Sequence, residues 1–413
     1  MFLLTKIENK IADWIQKHIL LLLVIFASVA GLAMRISAIL FESGDFYVFL
    51  EPWWNQFKIL GFQGLAQQIG NYNIPYQILI ALMINLPVEP IYAYKGLSVL
   101  FDFLLSGGAA LIVMTLAKNK VRLKGALTYF FTFCCITVVF NSGFWSQCDS
   151  IYTTFVIFAV YFLIKERHIA SFVFLGLAFG FKLQAVFILP AFFIYYIMTK
   201  KYSIFHFLII PAVDVLMCMP AILMGRPFWD IIGIYVEQTD NVKHLQENCP
   251  NFYALLCSGT DEKYYAMLKT FTIFLTILIL GLGFYIIIQK NVNLRNYENF
   301  ILVSIWCVFT CVMFLSSMHE RYTYVLDVLT IILAMFTFRR IWLPILCILV
   351  SMVSYCHYLF YYDALDTKLV AVIYLLTYLG FSFVMFRDIV KPSKNSELND
   401  VFCLNKSKTA VKL

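Results

Sequence analysis

Ser43-Gly44-Asp45-Phe46 follows the first apolar run of the chain, and the next basic residue is Lys58. A carboxylate at a membrane face beside a long aromatic segment contributes little to a fold. It is well placed to serve as a general base towards an acceptor hydroxyl. Gly44, a turn residue, permits a backbone that would aim Asp45 into a cavity. A second group is Asn141-Ser142-Gly143-Phe144-Trp145-Ser146-Gln147-Cys148-Asp149-Ser150, which leads straight into another apolar run. An aspartate deep in a membrane helix costs about 2.5–3.5 kcal/mol on insertion scales. Trp145, Gln147 and Asp149 therefore line a cavity, or else Ser146 or Asp149 caps the helix that follows. The sequence leaves both open.

Phe181-Lys182-Leu183-Gln184 interrupts an apolar stretch with an ammonium and an amide. If this segment reaches the interface, Lys182 can snorkel to the depth of a lipid phosphate, as a ligand or simply as a solvated charge. Met318-His319-Glu320-Arg321-Tyr322 packs three titratable residues between two apolar runs. Arg321 can fork onto a phosphate, and His319 is expected to titrate near neutral pH. The long polar segment 225–268 offers Arg226, Gln238, His244, Asn251 and Tyr253. Its Asn and Tyr residues suit sugar hydroxyls, although a polar loop would carry them anyway. Arg35, about one turn inside the first run, is expected to snorkel outwards or to pair with a loop acid.

The elements that must position these residues are membrane helices. The 413 residues are 62% hydrophobic and only 13% charged, and apolar runs of roughly 17–25 residues recur throughout. No small-residue cleavage site follows the first run, so it reads as a retained span. Lysines and arginines cluster before residue 18, at 118–124, 165–167, 200–201, 290–295 and 339–340, and after 387. By the positive-inside rule these segments share the cytoplasmic side with both termini. Segments 40–90, 141–148, 225–268, 318–321 and 361–367 then face outwards. Residues 74–87, bounded by Pro75 and Pro87, are too short for a span and read as an interfacial or re-entrant helix. Residues 169–198 read as a hairpin of two short helices with Lys182 and Gln184 at its apex. About twelve crossings result. In the first outer loop, Glu51, Trp53 and Trp54 suit an amphipathic helix in the headgroup plane, with the tryptophans in an aromatic belt. Residues 1–390 form one transmembrane domain, and 391–413 a polar cytoplasmic tail expected to be disordered.

The net charge of +7 sits in short loops and the tail, which argues against a nucleic-acid partner. Most cysteines lie in apolar runs as small hydrophobes; Cys249 and Cys257 share an outer loop and could pair. No phosphate-cradling loop, nucleophile elbow or zinc-binding HExxH occurs. No cofactor is indicated, and a divalent metal is left open without a ligand set that points to one.

Taken in order, seven segments give the chain a resemblance to the GT-C superfamily of membrane glycosyltransferases, and within it to the bacterial group related to the second GPI mannosyltransferase. They are 43–46, Asn71-Tyr72-Asn73-Ile74-Pro75-Tyr76, Lys95 to Asp102, 144–153, 176–184, Asn251-Phe252-Tyr253 and 318–322. Two departures are Ser146, where the family often has glycine, and a single proline at Pro75. The resemblance implies an all-α polytopic fold with interfacial helices in the first outer loop, in a bacterial plasma membrane. It implies a polyprenyl-phosphate hexose donor, a glycan or glycolipid acceptor, inversion at the anomeric carbon, and Asp45 as base. On this reading Lys182, Arg321, His319 and Arg226 hold the donor phosphate. Asp149, Gln147, Trp145, Gln184, Glu320, Asn251 and Tyr253 contact sugar or acceptor. A polysaccharide polymerase or ligase and a lipid-linked sugar transporter are the alternatives.

Overall fold

A computed structural model describes residues 2–240, 244–256 and 264–390 of the chain. The described residues are almost entirely helical. The long first helix, α1 (Phe2–Ser37), is followed by a wide π-helical turn at Phe46–Leu50, α2 (Glu51–Leu60), a 3-10 segment at Gly61–Ala66 and α3 (Ile74–Met83). Next come α4 (Pro90–Leu116), α5 (Val121–Phe133), α6 (Ile136–Val139) and α7 (Asp149–Ile164). The hairpin pairs α8 (His168–Phe181) with a 3-10 turn and α9 (Leu189–Thr199), and α10 (Ile209–Leu223) and α11 (Trp229–Asp240) follow. The last five are α12 (Tyr265–Gln289), α13 (Tyr297–Phe314), α14 (Tyr324–Thr337), α15 (Trp342–Phe360) and α16 (Thr367–Val390). A two-residue parallel bridge joins β1 (Gln246–Glu247) to β2 (Met318–His319).

Among the described residues, seven helices are long and apolar enough to cross a membrane, and an eighth crossing is made if the bent pair 121–144 counts as one. This is a polytopic helical membrane protein. Its packing is legible in which helices are apolar all round. Every residue of α13 from Phe300 to Phe314 is buried, as is every residue of α14 from Tyr324 to Met335, so these two form the protein's centre. In contrast α1, α10, α12 and α16 leave large side chains such as Phe26, Leu216, Phe274 and Phe383 exposed. Lipid tails are as apolar as these side chains, so that exposure carries no hydrophobic penalty in a bilayer.

The basic segments at 118–124, 339–340 and 387 meet at one end of the bundle. Lys124 donates to the Phe336 carbonyl at 2.7 Å, and Arg340 reaches Glu298 at 3.4 Å and Asp388 at 2.7 Å. The opposite end carries the loops around Asp45, Trp145, His319 and Tyr358. As read from the sequence, α3 is short: its ten residues rise about 15 Å. The 168–199 hairpin also forms as expected, with its break at Lys182.

Three sequence expectations give way. Trp53 and Trp54 are buried in the main core rather than in a lipid-facing belt, because the first loop folds back on the bundle. Gly70, at φ +76°, leaves room for the Trp53 indole; a Cβ there would lie 2.2 Å from it. Arg35 neither snorkels nor pairs with a loop acid. It is buried and bonds Asp102 in α4 through Nε at 3.0 Å and Nη2 at 2.8 Å, with Ser142 Oγ and the Gly31 and Phe133 carbonyls as further acceptors. Gly44, finally, does not use the left-handed region; it sits in the first helical turn of its segment. The possible partner of Cys249, Cys257, and the tail from 391 lie outside the described residues.

Candidate functional site

The position of Asp45 is built by satisfying the end of α1. Its last carbonyls have no partner within the helix; the N–H groups of Ala38 and Ile39 meet those of Arg35 and Ile36, and Lys95 of α4 holds the turn that follows, donating to the Ala38, Ile39 and Phe41 carbonyls at 2.7, 3.1 and 2.6 Å. The chain then turns, and Ser43 Oγ bonds the Trp145 carbonyl at 3.3 Å. Asp45 thereby faces the loop that precedes α7. Its Oδ2 accepts from Trp145 Nε1 at 2.8 Å and Gln147 Nε2 at 2.7 Å, with Arg321 Nη1 3.6 Å away. The Gln147 amide is oriented by the Tyr72 hydroxyl, which donates to Oε1 at 2.7 Å. Among the described residues the other carboxylate oxygen, Oδ1, accepts only from the Tyr358 hydroxyl.

Asp45 belongs to a chain of alternating charge. Arg321 lies between Asp45 and Asp149, its Nε 3.7 Å from Asp149 Oδ2. Asp149 is fully buried, takes a 2.9 Å bond from Asn141 and forms an ion pair with Lys182. Tyr72, Tyr152 and Tyr322 surround the ammonium, their ring centres within 5.9 Å of Nζ. Trp145 underlies Arg321 at 5.3 Å. The capping alternative for this segment is not what forms: Cys148 stands at the N-cap of α7 with no side-chain bond, and Ser146 Oγ is unpartnered.

These groups open onto a cavity of about 530 Å³. Asp45, Gln147, Lys182, Gln184, His319 and Arg321 all line it. Trp145, Asp149 and Glu320 lie immediately behind, each touching a lining residue. Three sequence candidates lie elsewhere. Arg226 clamps the first loop by bonding Gln67, Gln68 and Gln77, with Asp230 at 3.4 Å. Asn251 caps the short 3-10 turn Phe252–Leu255 and bonds the Leu315 carbonyl, and Tyr253 bonds the Phe314 carbonyl. All three satisfy backbone or loop groups, which is what buried polar side chains must do in the absence of another partner.

Several lining residues escaped the sequence reading as site members: Tyr358 from the last turn of α15, Tyr72 and Asn71 from the first loop, and Glu247 in β1. The lining carries the amides of Asn71, Gln184, Gln238 and Asn248, suited to hydroxyl groups, together with the cations Lys182 and Arg321.

Burial sets the protonation of the loop between α13 and α14. The His319 imidazole is pushed down to about 3 by burial and by the nearby Arg321 and Lys182 charges, so it is neutral at physiological pH. The expectation that it titrates near neutrality is therefore corrected; it brings a neutral ring to the cavity and no charge. Burial pushes the Glu320 carboxyl up to about 7, against the opposing pull of Arg321. Among the described residues, Arg321 Nε has no acceptor within hydrogen-bond distance, Asp149 Oδ2 being 3.7 Å away, and Glu320 Oε2 has no donor. Within the described residues no group of three or more His, Cys, Asp or Glu is arranged to hold a metal.

No family model and no curated protein matches this chain. What the site can do is thus argued from its own chemistry. A carboxylate at the cavity surface can accept a proton, and an arginine beside a lysine can hold an anion.

Proposed function

We propose that this protein is a membrane glycosyltransferase of the GT-C type, which moves a hexose from a polyprenyl-phosphate donor to a glycan or glycolipid hydroxyl with inversion. The observation that carries the reading is the ionic chain Asp45–Arg321–Asp149–Lys182 along one cavity wall. Inverting transfer from a lipid phosphate asks for one base and a cationic phosphate site. The acceptor O–H gives its proton to Asp45 as its oxygen bonds the anomeric carbon. The bond from that carbon to the phosphate oxygen breaks, and the electron pair leaves with the lipid phosphate. Arg321 and Lys182 stabilise the charge that develops there. A phosphate leaving group needs no proton from a second carboxylic acid, unlike the alcohol lost in glycoside hydrolysis. The position of Arg321 and Lys182 in the cavity lining supports the anion site, because a guanidinium and an ammonium side by side can both donate to a phosphate.

The GT-C reading also accounts for the helix count. Seven long helices, the bent pair and the four short apolar helices at 149–164, 168–181, 183–199 and 324–337 make twelve crossings, with α3 as an interfacial element. Both termini then lie on the side of the basic loops, which the charge bias assigns to the cytoplasm of a bacterial plasma membrane. The cavity faces the extracytoplasmic side. Apolar side chains exposed near its rim, Tyr47, Val48 and Phe49 among them, suit a donor that arrives through the lipid.

The reading is tested by presenting the purified protein in nanodiscs with a panel of synthetic polyprenyl-phosphate sugars and a mixed glycan acceptor. Acceptor-dependent release of free polyprenyl phosphate from one donor is the expected result. Failure to release it from every donor, with the acceptor verified by an independent enzyme, overturns the proposal.

A further inference from the structure

Three hydrogen bonds converge on Asp45, from Trp145, Gln147 and Tyr358, and Arg321 lies 3.6 Å away as an ion-pair partner. An acceptor hydroxyl that reaches the carboxylate takes the place of the partner most free to move. Three of the four partners are fixed. Trp145 is fully buried, Gln147 is buried and held by Tyr72, and Arg321 is tied to Glu320 and sits near Asp149. All three contact Oδ2.

Tyr358 differs in each respect. Among the described residues it is the sole hydrogen-bond partner of Oδ1, it lines the cavity, and it is only partly buried. It lies in the last turn of α15, just before the exposed segment 360–369. Its ring stacks on Trp145 at 4.7 Å and 21°, so the hydroxyl can swing away while the ring keeps a partner. The oxygen it covers is the one left for a substrate proton.

Resting on the glycosyltransferase reading, we infer that Tyr358 is a positioning residue whose hydroxyl stands in for the acceptor hydroxyl on Asp45 Oδ1. It keeps water off the base until an acceptor displaces it. Water reaching Oδ1 would itself be deprotonated and would bond the anomeric carbon, releasing free sugar and polyprenyl phosphate without transfer. Tyr358 thus sets the partition between transfer and donor hydrolysis.

The test is Tyr358→Phe, which keeps the ring and its stack and removes only the hydroxyl. Free sugar and glycosylated product are measured together from the same nanodisc reaction, at saturating and at limiting acceptor. The ratio of hydrolysis to transfer is expected to rise roughly tenfold in the variant at limiting acceptor, the change that one hydrogen bond to a charged group represents. Saturating acceptor should suppress the excess. Because the ratio is independent of how much protein is folded, a purely structural defect would lower both products and leave it unchanged. An unchanged ratio with an active wild type overturns this inference alone. A wild type that turns over no donor overturns the glycosyltransferase reading with it.

Discussion

Glu320→Gln should make the protein more stable above neutral pH. Glu320 is fully buried, its Oε1 lies 3.3 Å from Arg321 Nη1, and its Oε2 has no partner. Burial outweighs the arginine and raises the carboxyl from 4.5 to about 7. The unfolded chain loses this proton near the ordinary value, whereas the folded protein keeps it until about pH 7. Between those limits the folded state binds more protons, so stability falls as pH rises, and the loss is complete above about 7. At about 1.4 kcal/mol per pH unit the total comes to roughly 3 kcal/mol. Glutamine has the same shape and does not titrate. The free energy of unfolding of wild type and variant in mixed micelles should therefore coincide near pH 4.5, and the variant should be ahead by roughly 3 kcal/mol at pH 8. Parallel profiles, or a variant that is less stable at pH 8, would refute the reasoning and show that the pairing with Arg321 exceeds the cost of burial.

Other substitutions probe the rest of the network. Asp149→Asn removes the only carboxylate paired with Lys182 among the described residues and should cost about 3 kcal/mol in unfolding free energy; added polyprenyl phosphate should recover part of it by supplying a new anion. Arg35→Lys loses the fork that reaches Asp102, Ser142 and two carbonyls at once, so a loss of about 2 kcal/mol is expected despite the conserved charge, read from the unfolding midpoint. Ser146→Gly should be neutral or raise the midpoint by the equivalent of up to about 1 kcal/mol. Ser146 sits at φ +63° and its hydroxyl has no hydrogen-bond partner among the described residues, so a midpoint that drops would contradict the assignment of strain there.

The charged members of the site were legible in the sequence because a membrane makes charge expensive. Asp45, Lys182 and Arg321 each break or flank an apolar run, and the fold brings all three to one cavity. The same logic applied to Asp102, twelve residues into α4, would have paired it with Arg35. Arg226 misled because a guanidinium in a polar loop reads the same whether it awaits a phosphate or clamps three glutamines. Trp53 and Trp54 misled for a related reason: protein core and lipid are equally apolar, so periodicity cannot say which one a tryptophan faces. Tyr358 carried no signal at all. It is one of many tyrosines at helix ends, and only the tertiary fold places it on Asp45, from the far end of the chain.

The central claim is that Asp45 takes the proton of the acceptor. Asp45→Asn keeps the size of the side chain and offers its amide oxygen to the same donors, while removing the basic group. In nanodiscs with the donor that wild type uses, the variant should still bind that donor and should lose transfer by at least about 100-fold, the lower range for a general base. Transfer at the wild-type rate by a folded Asp45→Asn protein would contradict the account and remove Asp45 from the chemistry.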